Sequence, residues 1–140
     1  MVIITSTCNL QLLIIEFSII LEYAAQVWHS IITIKQQDMI ERIQKRAMKI
    51  ILGQNYDTYA SSLTICDLDT LAERRRHLCI TFIDSLMSSD KFREWLPPSR
   101  GDTTCYQLRS AAKLGTLRCR TKRYQDSAIP YFSKLYNENV

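Results

Sequence analysis

Three glycines and three prolines in 140 residues leave this chain little material for the turns from which loop-built active sites are made, so helices are the natural use of the rest. Only His29 and His77 could act as imidazole bases, and no cysteine stands in a recognisable arrangement with either. A Gly-rich phosphate loop and a G-x-S-x-G elbow are both absent, and no two Asp residues are adjacent. The last absence removes the carboxylate pair that two-metal phosphoryl chemistry uses. Cys8, Cys66, Cys79, Cys105 and Cys119 are odd in number and include no close pair. With no basic region ahead of the first apolar run, reduced thiols in an intracellular protein, nuclear or cytoplasmic and not secreted, are expected. His77, Cys79 and Cys66 match no four-ligand zinc spacing, so neither a metal nor a cofactor is expected.

What is present is ordinary globular material: 46% apolar and 23% charged residues, with a net charge of +4. The length suits one compact unit rather than a multidomain enzyme. Charge is distributed unevenly. Residues 1–33 carry only Glu16 and Glu22; residues 34–100 hold eleven basic and nine acidic side chains; residues 101–140 hold seven and three. The basic excess toward the C-terminus suits a polyanionic partner.

Periodicity predicts an all-α fold of three main helices plus short ones, with a bundle over 1–98 and an irregular basic tail over 99–140. From Leu10 to Trp28 nearly every position is apolar. On a helical wheel Gln11, Ser18, Glu22 and Gln26 form one thin polar stripe within about 80°, as in a core helix with one strip exposed. Glu16, Glu22, Asn9 and Gln11 interrupt the run too often for a membrane span. Thr33 with Gln36 forms a capping box, and Gly53 closes a helix over 34–52. Its apolar arc, Met39, Ile40, Ile43, Ala47, Ile50 and Ile51, should dock on the first helix. Lys35, Asp38, Arg42, Lys45, Arg46 and Lys49 occupy the other side, with Asp38/Arg42 and Glu41/Lys45 at i,i+4 spacing. A short helix is predicted over 58–65. Thr70 with Glu73 opens another over 71–88, whose apolar face is Leu71, Leu78, Cys79, Phe82 and Leu86. Asp67 and Asp69 shape the turn before it. After Trp95, Leu96, Pro97 and Pro98 the pattern changes. Tyr106–Arg109 and Thr116–Thr121 could pair as a small hairpin, and Ser127–Asn137 reads as a last helix with Pro130 in its first turn.

Five stretches, LEYAAQVW at 21–28, IERIQKRAMKIILG at 40–53, LAERRRHLCITFIDSL at 71–86, YQLRS at 106–110 and RTKRYQDSAIP at 120–130, stand in an order that resembles the end of a non-LTR retrotransposon reverse transcriptase. That family has an L-E-Y-A-x-x-V-W helix, an I-E-x-x-Q-x-R-A helix, an L-x-x-R-R helix, a Y-x-L-R stretch and an R-T-x-R-Y…S-x-x-P close. The resemblance covers about residues 20 to 137. It implies the thumb and the helical region beyond it, and a partner in the palm domain. The palm's Tyr/Phe-Ala-Asp-Asp motif is missing, and upstream of Leu21 the chain reads IIEFSII where the family has a basic residue. A truncated or decayed copy without polymerase activity is therefore expected.

Two basic groups are candidates for non-specific contact with RNA or DNA backbone: Arg42, Lys45, Arg46 and Lys49 on one helix face, and Arg118, Arg120, Lys122 and Arg123 beside Tyr124 in the tail. The bland alternative for the helix is a solvated face ordered by its i,i+4 pairs. Arg75 falls inside an apolar arc and needs a counter-charge, for which Glu22 is the candidate, with Arg74 as the alternative donor. A helical protein-interaction module, its apolar surface exposed where a palm once packed, and a relic with no biochemical role are the rival readings. No small-molecule substrate is expected.

Overall fold

The computed structural model describes residues 16–104 and 109–140. Among these residues the protein is all-α, with no strand and a single isolated bridge between Ser99 and Leu114. No described helix is long and apolar enough to cross a membrane. The chain divides into two units: one contains residues 16–24 and 32–75, the other 25–31 and 76–140.

In the first unit, residues 16–22 are helical. The single helix expected over 10–28 is interrupted at Tyr23 and Ala24, where Ala24 takes a φ of 49°. Residues 10–15, Gln11 among them, lie outside the described residues. The expected orientation is also reversed. Ser18 is buried and Glu22 points at an arginine, while Ile19 and Ile20 are exposed. The cause is electrostatic: a carboxylate with a cationic partner inside is better placed there than in an apolar wall.

Helix α1 (Ala25–Trp28) belongs to the second unit, and α2 (Ile34–Leu52) to the first. Both halves of the predicted capping box are made at the start of α2: Thr33 Oγ1 accepts from the Gln36 amide, and Gln36 Oε1 accepts from the Thr33 amide. Gly53 ends the helix at a φ of 53°, a conformation that a Cβ would strain, and its N–H caps the Lys49 carbonyl. The buried strip of α2 is Gln44 and Met48. Met39, Ile43 and Ile50, expected to dock, are exposed instead. The strip is displaced because α3 (Tyr59–Ile65) packs against α2 and Tyr59 binds Glu41.

Helix α3 has its own capping box, Thr58 with Ser61, and ends with Asp67 at a φ of 52°. There the Leu68 amide reaches the Leu63 carbonyl and the Asp67 amide reaches that of Thr64, so the helix end is closed by a Schellman turn rather than by glycine. Asp67 thus shapes the exit of α3, and Thr70 Oγ1 accepts the Glu73 amide at the start of α4 (Leu71–Ser88).

The interior of the first unit is polar for its size: Ser18, Gln44, Ser62 and Arg75 are buried beside Met48, Leu63 and Leu71. Gln44 is 3% exposed, and neither its oxygen nor its nitrogen has a hydrogen-bond partner among the described residues. Replacing an unsatisfied amide by an apolar group of similar volume removes a desolvation penalty. Gln44→Met is therefore expected to stabilise the protein by about 1 to 2 kcal/mol in chemical denaturation. A loss of stability would show that the amide is satisfied in solution.

The second unit has a conventional apolar core of Cys79, Ile83, Leu86, Leu96, Leu114, Phe132 and Leu135. Three of these, Leu114, Phe132 and Leu135, come from the stretch 99–140, which the sequence reading separated as an appendage. The tail completes the core that α4 begins. Short helices α5 (Asp90–Arg93), α6 (Arg100–Thr103) and α7 (Lys122–Gln125) lead to α8 (Ala128–Asn139), with Pro130 in its first turn. The hairpin does not form as expected. Residues 105–108 lie outside the described residues, and 116–121 is not a strand. Residues 98–101 instead run against 111–115: the amides of Arg100, Gly101 and Gly115 donate to the carbonyls of Lys113, Ala111 and Pro98. Prolines cannot donate but can accept, which suits Pro98 to this role. A Cβ at Gly115 would lie 3.3 Å from the Pro98 oxygen, so a larger residue there would crowd this bond.

Candidate nucleic-acid interface

Helix α2 presents Arg42, Lys45, Arg46 and Lys49 to solvent. The i,i+4 ion pairs that would have ordered this face do not form among the described residues. Tyr59, a residue the sequence reading did not single out, takes their place: its hydroxyl donates to Glu41, and the Lys45 ammonium sits 4.8 Å from its ring centroid. Burial, and then the bond to Glu41, pushes the Tyr59 phenol well above its ordinary value. Glu41 is thereby engaged by a hydroxyl, and no carboxylate lies within ion-pair distance of Arg42, Lys45, Arg46 or Lys49 among the described residues. A row of cations without counter-charges is what a polyanion requires.

In the second unit Arg118, Arg120, Lys122, Arg123 and Tyr124 are all exposed. The Tyr124 amide donates to Thr121 Oγ1, which sets the start of α7. Lys122 is engaged by Asp126 at 3.1 Å, an exposed i,i+4 pair of little energetic weight. Arg118, Arg120 and Arg123 carry no such pair among the described residues. The two basic groups belong to different units, so each must be assessed separately.

Arg74 and Arg75 of the third stretch are structural. Arg74 meets Glu22 at 2.5 Å, with 16% and 18% of the two side chains exposed. This pairing uses the donor held as the alternative. Arg75 is fully buried and does not reach solvent; its charge also acts on Glu22, after that of Arg74. Burial raises the Glu22 carboxyl above its ordinary 4.5, and the two guanidiniums only partly offset this. A raised carboxyl takes up a proton on folding in the window just above 4.5, so its contribution to stability falls as pH rises through that window. Arg74→Met removes the larger offset and widens the window. The variant is expected to be about 2 kcal/mol less stable than the parent near neutral pH, less than for a fully buried pair, with the difference vanishing toward roughly pH 4 as Glu22 protonates in both. Melting curves across pH check this; a pH-independent difference would assign the loss to packing.

No cluster of three or more His, Cys, Asp or Glu side chains suited to a metal occurs among the described residues. Asp69 and His77 are exposed. Cys66, Cys79 and Cys119 form no disulfide, and burial pushes the Cys66 thiol up, opposite to the shift that activates a nucleophile. Cys8 and Cys105 lie outside the described residues.

No protein-family model, curated protein or solved structure matches this chain.

Proposed function

We propose that this chain is a non-catalytic, thumb-like segment of a retrotransposon RNA-directed DNA polymerase that holds nucleic acid by its backbone, without reading sequence. The observation that carries the binding part is the exposed row Arg42, Lys45, Arg46 and Lys49, none of which has an ion pair among the described residues, with Glu41 bonded to Tyr59 instead of Lys45. The ancestry rests on the five ordered stretches between residues 21 and 130. Side chains on a helix surface that meet phosphate and no base edge supply affinity and no sequence information. The exposed Ile19, Ile20, Tyr23 and Ile34 of the first unit fit a segment made to pack against a further domain, such as a palm.

Two unrelated DNA duplexes and an RNA duplex of equal length should bind within about threefold of one another. A preference of a hundredfold or so for one sequence would contradict backbone recognition. Primer extension with magnesium or manganese should give no product; template-dependent incorporation by the pure chain would overturn the non-catalytic part of the reading.

A further inference from the structure

The second unit contains a cleft of about 770 Å³ whose wall includes Arg100, Lys113, Lys122 and Lys134, with Asp126 and Glu138 as its carboxylates. Four cations against two carboxylates leave an excess of two positive charges. The carboxylates are already engaged, Asp126 by Lys122 at 3.1 Å and Glu138 by Lys134 at 3.9 Å. The backbones of Arg100 and Lys113 are held side by side by the bond from the Arg100 amide to the Lys113 carbonyl at 2.8 Å, and both side chains line the cleft. Both side chains are half-buried, and neither has an ion pair among the described residues. Lys113 Nζ donates to the Asn137 carbonyl at 2.8 Å, which fixes the ammonium in place and leaves its charge unanswered. Leu117, Pro130 and Tyr131 add an apolar wall, and Tyr131 is braced edge-on by His29 with centroids 5.7 Å apart.

We propose that this cleft binds a nucleoside phosphate. The volume lies within the roughly 300 to 1,000 Å³ of small-molecule sites. A guanidinium and a hydrogen-bonded ammonium lining the same cleft match a phosphate, the first by its two-bond fork and the second as a point charge. The apolar wall accepts a base. The same chemistry is offered by a free nucleotide and by the 5′-phosphorylated end of a strand. The cleft lies wholly in the second unit, so the proposal is independent of the cation row on α2.

The test is calorimetric titration of the full chain with AMP, adenosine, inorganic phosphate, and a short oligothymidylate with and without a 5′-phosphate. AMP should bind at least about tenfold more tightly than adenosine or phosphate alone. Arg100→Gln should weaken AMP by about tenfold or more, while Arg42→Gln leaves it unchanged. Circular dichroism checks the fold of each variant, and Lys113→Gln serves if Arg100→Gln does not fold. A 5′-phosphorylated strand that binds better than both its 5′-hydroxyl form and AMP assigns the site to strand ends; AMP binding without that advantage assigns it to free nucleotides. Equal affinities for AMP and adenosine, phosphate binding as tight as AMP, or AMP affinity indifferent to the cleft variant in hand would each overturn the proposal.

Discussion

Asn137→Ala is expected to cost about 2 to 4 kcal/mol, a large share of the stability of a domain this size. The Asn137 side chain acts on Leu114 as a strand neighbour would: its oxygen accepts the Leu114 amide at 2.7 Å and its nitrogen donates to the Leu114 carbonyl at 3.1 Å. Leu114 is fully buried within the core of the second unit. Alanine would remove both bonds and leave a buried amide and carbonyl without partners, which costs more than the bonds themselves contribute. Asn137→Asp separates the two halves, since a carboxylate can accept from the amide but has nothing to offer the carbonyl. It should fall between wild type and Ala in denaturant midpoint. An Ala variant within about 0.5 kcal/mol of wild type would mean that water replaces the clamp.

Arg75→Ala should be the most damaging single change in the first unit, at about 4 kcal/mol, because Arg75 is the largest fully buried side chain among the described residues. Arg75→Met separates volume from charge. It fills most of the space, and it leaves Glu22 paired with Arg74. Replacement of a buried ion by a well-packed apolar group is often neutral, so Met should lie within about 1.5 kcal/mol of wild type. If Met proves as harmful as Ala, the charge of Arg75 and not its bulk holds the unit together. In either case a residue with no exposed surface cannot contact a nucleic acid directly.

Local chemistry was legible in the sequence. Thr33 with Gln36, the glycine at 53, Thr70 with Glu73 and the proline in the first turn of α8 each act within three or four residues, so α2, α4 and α8 could be placed from the sequence. What was not legible depends on contacts distant along the chain. Nothing in the run Leu10–Trp28 marks the break at Ala24, because alanine does not favour the left-handed backbone it adopts there. The inward turn of Glu22 is set by Arg74, 52 positions on. Tyr59 took Glu41 from Lys45 across an 18-residue gap that no helical wheel displays. The tail was misread for a related reason. Alternation over 116–121 suggested a strand, whereas the pairing that forms joins 98–101 to 111–115 and is completed by the side chain of Asn137, which accepts from the Leu114 amide and donates to its carbonyl. Arg100, Lys113 and Lys134 escaped notice because only that pairing and the course of α8 bring them to one cleft.

The salt dependence of duplex binding decides whether the α2 cations hold nucleic acid. Four phosphate contacts on B-form DNA give a slope of about −3.6 in log affinity against log salt, or roughly a hundredfold loss between about 50 and 200 mM. Substituting Gln at Arg42, Arg46 and Lys49 together should flatten that slope by about three. A slope that is unchanged in the triple variant, or an affinity that does not respond to salt, would show that the α2 cations do not hold the nucleic acid.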